Sequence, residues 1–307
     1  RDRVIPYYRM QEQESLVCLE DEISDALIAN RVFHIFANSF FVECGKQEFK
    51  QEIIYAALST DRGKEHGFAT VITSYGTVHK KVLHSDGKKS LAVLHQNRTE
   101  LNRRGINCVQ EKLLEDSIEM PYIHKPVLIE YLKSLFQDFQ HKEQMKEKVI
   151  EIFEKIYNAV RKSSETVDFS ECMISDKRLT KENAGIILKK AYIDMIPYNC
   201  FYDNGCLLFY DQEFSRDYFP AKYVLFRALR YTYCYIPEAQ SIIPLQFFKD
   251  KFRFGTSWQV YERIEAEFVE DNRNYEQMRT FYLWASANSN TVDKNIEKLT
   301  GKIFDKE

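Results

Sequence analysis

Between residues 142 and 162 the chain sets Val149, Ile152, Phe153, Ile156 and Val160 on one stripe of a helical repeat, with charged residues around it. Such a helix folds only if other elements cover that stripe, and the segments on its two sides differ in kind. Before it, residues 53–58, 68–73 and 77–83 read as strands, with a polar loop at 59–67 and a turn at Tyr75-Gly76. Residues 106–114 and 118–123 read as two more, separated by Glu115-Asp116-Ser117. Between these groups, residues 86–104 carry Leu91, Leu94 and Leu101 at helical spacing, and Gly105 is a natural stop. Pro126 suits the first turn of a helix at 127–136. After the long helix, 179–190, 223–235, 247–252 and 258–268 read as helical, and 275–287 with a polar tail closes the chain. Strands gathered early and helices late predict an α+β fold, with a small antiparallel sheet followed by a mainly helical body.

Composition narrows the classes. Aromatic residues make up 14% of the 307-residue chain, enough for a sizeable core and against disorder. A net charge of −3 gives no electrostatic footprint for nucleic acid, and no apolar run reaches the roughly twenty residues of a membrane span. The seven cysteines lack the spacing of a zinc site or a disulfide framework, which suggests a reducing, cytoplasmic setting. The chain opens on Arg1 without a signal-peptide pattern, so excision from a longer product is expected. Residues 1–50, with a capped-helix pattern at 21–27 and an apolar stretch at 32–42, read as an extension or linker from an upstream domain.

The chemistry is concentrated in Asp194-Met195-Ile196-Pro197-Tyr198-Asn199 and, after an apolar run, Phe209-Tyr210-Asp211-Gln212-Glu213. Phosphoryl transfer needs one carboxylate to orient the acceptor hydroxyl, and an amide with a second carboxylate to hold metal on the ATP phosphates. The interval from Asp194 to Asn199 is that of H-R-D-x-x-x-x-N in protein kinases. On these residues the chain resembles the kinase-like phosphotransferase superfamily. Tyr192 and Ile193 replace His-Arg, and Asp211-Gln212-Glu213-Phe214 replaces Asp-Phe-Gly. That ending looks more like choline kinases and aminoglycoside phosphotransferases.

The resemblance implies a two-lobed, protein-kinase-like architecture, with an N-lobe at 51–124 and a helical C-lobe at 125–307. It implies Asp194 as the catalytic acid-base group, and Asn199 and Asp211 as magnesium ligands. Glu213 is a further metal or substrate ligand, or a residue just behind them. In the loop that would cover the phosphates, G-x-G-x-x-G is absent, and Arg62 or Lys64 would supply charge. Strand alternation sends Lys80 and Lys81 to opposite faces; Lys80, on the face of Val78, is the choice for the ATP phosphates, with Lys81 the alternative. Glu100, the only acid after Asp86 in the following helix, is the expected partner of that lysine. Met120 and Tyr122 fall where the lobes would hinge around adenine.

The implied function is Mg-ATP-dependent transfer of a phosphoryl group to a hydroxyl. Without an activation-loop pattern, a small molecule, sugar or glycan end is favoured over a protein. Ser59-Thr60-Asp61-Arg62, Thr70-Val71-Ile72 and Val78-His79-Lys80 also look like modules joined to methyltransferase or glycosyltransferase domains in bacterial surface-polysaccharide assembly. The rival expectation is a catalytically silent kinase fold acting as a binding or scaffold module beside such an enzyme.

Overall fold

The computed structural model describes residues 52–59, 62–137 and 142–272, with a few positions between 27 and 35. The segments expected at 21–27, 32–42 and 275–287 lie wholly or largely outside the described residues.

Strands β1 (Ile53–Leu58), β2 (Phe68–Thr73) and β3 (Thr77–Val82) form an antiparallel meander. Gly76, at φ 79°, takes the left-handed position in the tight β2–β3 turn. Helix α1 (Gly87–Arg103) follows, and β4 (Lys112–Leu113) and β5 (Ser117–Pro121) complete a five-stranded sheet in the order β1-β2-β3-β5-β4. Leu91 and Leu94 of α1 pack with Phe68 and Ile118 of the sheet in a small apolar cluster. Two turns later Leu101 joins a different and larger core. Helix α1 therefore bridges the two apolar clusters.

The larger core is built from α2 (Leu128–Phe136), α3 (Lys142–Lys162), α5 (Ala221–Tyr235) and α8 (Ser257–Asn272). The α3 stripe is fully buried within it, as its periodicity requires. Shorter helices α4 (Lys181–Ala184), α6 (Ala239–Ile242) and α7 (Leu245–Lys251) fill the periphery. Strands β6 (Thr166–Val167), β7 (Ile187–Tyr192) and β10 (Ser215–Pro220) form a second sheet in the order β10-β7-β6. Strands β8 (Cys200–Asp203) and β9 (Cys206–Phe209) form a hairpin closed by Asn204-Gly205, both at positive φ, the geometry that matches strand twist in two-residue turns. The fold class is α+β.

Two expected elements are corrected. The helix read over 179–190 is helical only at Lys181–Ala184, after which Gly185 at φ 71° ends it and β7 begins. Ile187, Leu188, Ala191 and Tyr192 are all buried, so this central strand lacks the alternation that marks a half-exposed one. The strand read over 106–114 shrinks to β4, with Cys108 making an isolated bridge to Phe209. Strand β10 had no counterpart in the sequence reading. Among the described residues no helix is long and apolar enough to cross a membrane.

Candidate functional site

Strand β3 places Lys80 opposite Ile118, on the sheet face that α1 covers. Its ammonium leans over the Phe68 ring, 4.7 Å from the centroid, and pairs directly with the Asp211 carboxylate. It also lies 3.4 Å from Glu213 Oε2. Lys80 is only 7% exposed, whereas Lys81 on the opposite face is open to solvent. Burial alone would lower the lysine pKa, yet Asp211 and Glu213 together raise it, so the ammonium stays charged.

Glu213 is the hub of the site. Arg62 donates to its Oε2 at 3.0 Å and His66 Nδ1 lies 2.7 Å from its Oε1, so the loop between β1 and β2 is tied onto the carboxylate. Burial opposes ionisation of Glu213. The His66 hydrogen bond and the charges of Lys80 and Arg62 outweigh it and hold the carboxyl at about 2. The loop without a glycine motif is thus anchored by side chains. Both Glu213 oxygens are thus engaged inside the protein, Oε1 by His66 and Oε2 by Arg62 and Lys80.

The segment carrying Asp211 and Glu213 is held from three sides by amides. Asn97 of α1 donates to the carbonyls of Gln212 and Glu213 at 3.0 and 3.3 Å. The Gln212 side chain donates to the carbonyls of Asp194 and Tyr210 at 3.0 and 2.8 Å. Asn199 donates to the carbonyls of Asp194 and Asp211 at 3.3 and 3.4 Å. Asp211 itself sits at φ 53°, a conformation aspartate tolerates better than most residues. The loop at 194–199 and the segment at 211–213 are therefore one connected unit.

Asp194 is 6% exposed. Its Oδ2 accepts from the Phe214 amide at 2.7 Å and its Oδ1 from Arg227 at 3.0 Å. Burial raises its pKa, and the Arg227 charge and the Phe214 amide offset that only in part. Arg227, on α5, also bonds the Ile193 carbonyl and Glu265 of α8. Tyr223 and Tyr231 both donate to Glu265 at 2.6 Å, which completes a buried network beneath the loop.

The remaining candidates are placed elsewhere. Glu100 does not pair with Lys80. It accepts from Lys190 at 2.6 Å and from Tyr192 at 2.7 Å, on the side of α1 that faces β7. Asn97, one helical turn earlier, is the residue that faces the site. Met120 packs against the small apolar cluster on the same sheet face as Lys80. Tyr122 is 39% exposed and meets the edge of His124 at 4.7 Å, while its amide donates to Gly76 at 2.8 Å.

The donor set fits a small hard cation in part. Asp211 supplies a carboxylate and Asn199 an amide oxygen, and magnesium takes one or two such ligands together with phosphates and waters. Among the described residues no three His, Cys, Asp or Glu side chains are grouped to hold a metal without further ligands. Sequence reasoning missed His66, Asn97, Gln212 and Arg227. Only Arg227 had a usable signal, a charge set within Val224-Leu225-Phe226 and Ala228-Leu229. No protein-family model matches the chain, and no curated protein is significantly similar to it.

Proposed function

We propose that the protein is a Mg-ATP-dependent phosphotransferase of two-lobed, protein-kinase-like architecture, acting on a hydroxyl of a small molecule, sugar or glycan end. One observation carries the reading: the buried Lys80 and the half-buried Asp211, 131 residues apart, form an ion pair next to Asn199 and the Asp194 loop. A lysine for phosphate, a carboxylate and an amide for metal, and a buried acid beside them are the parts that phosphoryl transfer requires. The order of elements supports it: sheet, α1, connection, α3, Asp194 loop, hairpin, Asp211.

In this mechanism Lys80 exchanges part of its contact with Asp211 for the ATP phosphates. Asp211 and the Asn199 oxygen would hold magnesium, which would supply neutralisation of the phosphate charge. Arg62 and His66, anchored on Glu213, bring the β1–β2 loop down beside the nucleotide. Asp194 orients the acceptor hydroxyl through the lone pairs that Phe214 and Arg227 leave unused, and its raised proton affinity suits acceptance of a proton. The expected setting is cytoplasmic, beside an upstream methyltransferase or glycosyltransferase domain.

A second reading has its own observation. Both Asp194 oxygens are engaged inside the protein, which suits a silent nucleotide-binding or scaffold module. Thermal unfolding with and without Mg-ATP tests the nucleotide site. Saturation at a hundred times Kd stabilises by about 2.7 kcal/mol, and Asp211→Asn is expected to abolish that gain. No gain in the wild-type protein at millimolar nucleotide refutes the phosphotransferase reading and leaves the scaffold module. Nucleotide binding without phosphate transfer to any sugar acceptor selects the second.

A further inference from the structure

A second cavity, of about 380 Å³, opens on the far side of α1. It is lined by Glu100 and Arg104 from α1 and its end, by the turn after α3, and by β7 and β10. None of Lys80, Asp194, Asp211 or Glu213 lines it, and its size falls within the range of about 300–1,000 Å³ usual for small-molecule sites.

Its charges are already matched. Lys190 pairs with Glu100 at 2.6 Å, while Arg104 and Lys189 both pair with Glu165, at 2.8 and 3.5 Å. Three cations therefore meet Glu100 and Glu165, Asp217 adds a third carboxylate, and a charged ligand would have to compete with pairs already made. Hydrogen-bonding capacity nevertheless remains in alternating sense. The ammonium groups keep spare protons and the carboxylates keep spare lone pairs. Ser164 accepts from the Lys190 amide at 3.1 Å and retains its own proton. Asp217 and the Tyr218 hydroxyl make no hydrogen bond or ion pair through their side chains among the described residues. Groups that donate and accept side by side complement hydroxyls, which do both.

Backbone strain gives an independent sign. Tyr218 holds φ 52° inside β10, between the ladder pairs Asp217–Lys190 and Phe219–Leu188. A bulky aromatic residue rarely adopts this conformation, and such strain gathers at ligand clamps. Asp211, in the Lys80 site, is another of the positive-φ residues. The strained tyrosine lines the cavity, where its ring offers a flat face for the C–H groups of a sugar.

We infer that this cavity is a binding site for a neutral polyhydroxylated ligand of monosaccharide size, held between α1 and the β7–β10 ladder by the paired charges and the Tyr218 ring. The inference does not rest on the phosphotransferase reading. Occupancy would brace α1, whose Asn97 holds the Gln212 and Glu213 carbonyls, and so would reach the Lys80 site through one helix.

Saturation-transfer NMR on the full chain tests it, with D-glucose, D-mannose and N-acetyl-D-glucosamine as probes and glycine betaine and sulfate as charged contrasts. Transfer to a sugar is expected, weakened about tenfold by Asp217→Asn and by Tyr218→Phe and unchanged by Asp211→Asn. Both cavity variants alter partly exposed side chains without intraprotein hydrogen bonds, and circular dichroism confirms that they fold. The inference is overturned if no sugar binds, or if betaine or sulfate binds in the cavity and sugars do not. It is equally overturned if sugar binding survives both cavity variants, which places the sugar elsewhere.

Discussion

Replacing Glu213 by glutamine removes one charge from the hub and leaves its shape nearly unchanged, so the loss can be worked from proton linkage. The carboxyl is held at about 2 against an unperturbed 4.5. At about 1.4 kcal/mol per pH unit, the ionised form contributes about 3 kcal/mol of stability at neutral pH. Breaking a buried ion pair from one side costs a similar 3–5 kcal/mol, roughly, so the two routes agree. Because the folded pKa lies below the unfolded one, the contribution is complete above 4.5 and disappears as pH falls toward 2. Urea unfolding of wild-type and Glu213→Gln protein is the assay, at pH 7 and again at about pH 3.5. The variant is expected to be about 3 kcal/mol less stable at neutral pH, and the gap to be about 1 kcal/mol smaller in acid. A gap that stays constant between the two conditions refutes the argument that Glu213 is ionised and stabilised by Lys80, Arg62 and His66.

Other substitutions separate the parts of the site. Lys80→Met is expected to remove the stabilisation by Mg-ATP, about 2.7 kcal/mol at a hundred times Kd, while Lys81→Met leaves it intact; the opposite pattern in thermal unfolding would reverse the assignment of the two lysines, and equal responses would remove it. Arg227→Met leaves Asp194 and Glu265 buried without their cation, and a loss of about 3–5 kcal/mol is expected by urea unfolding, partly recovered in acid as Asp194 protonates. Asp194→Asn is expected to keep nucleotide-dependent stabilisation and to lose phosphate transfer, measured as ADP release with a sugar acceptor; retained transfer removes Asp194 from the chemistry. Leu101→Ala empties a fully buried position where α1 enters the larger core, and about 2–5 kcal/mol should be lost in the same unfolding assay.

How far the sequence was legible depends on which interaction carried each position. Lys80 was legible in part: alternation sends it and Lys81 to opposite faces, and the register that sets Phe68 opposite Val82, seen only in the fold, turns Lys80 inward and Lys81 out. The long helix was legible because its stripe admits one burial. Glu100 was misread because the search was for an acid, and the position that faces the site holds Asn97. A helix turn offers several candidates, and charge alone does not tell which faces the cleft. Strand β7 was misread because a strand buried on both faces carries no alternation. Arg227 could have been flagged, since a charge among apolar helix neighbours must find a partner when buried.

What no motif could carry is the way the site is assembled. Asn97, Gln212 and Asn199 all recognise backbone carbonyls, those of Gln212, Glu213, Asp194, Tyr210 and Asp211. Every residue has a carbonyl, so the receiving half of each bond leaves no trace in residue identity. The donating half is an ordinary amide that elsewhere would sit in a turn. Residues that would bear the proposed chemistry are therefore the more legible ones, because phosphate and metal would demand particular groups. The residues that set their geometry become visible only once the chain is folded, and Asn97 shows the consequence: it links the helix that closes the second cavity to the segment that carries Asp211.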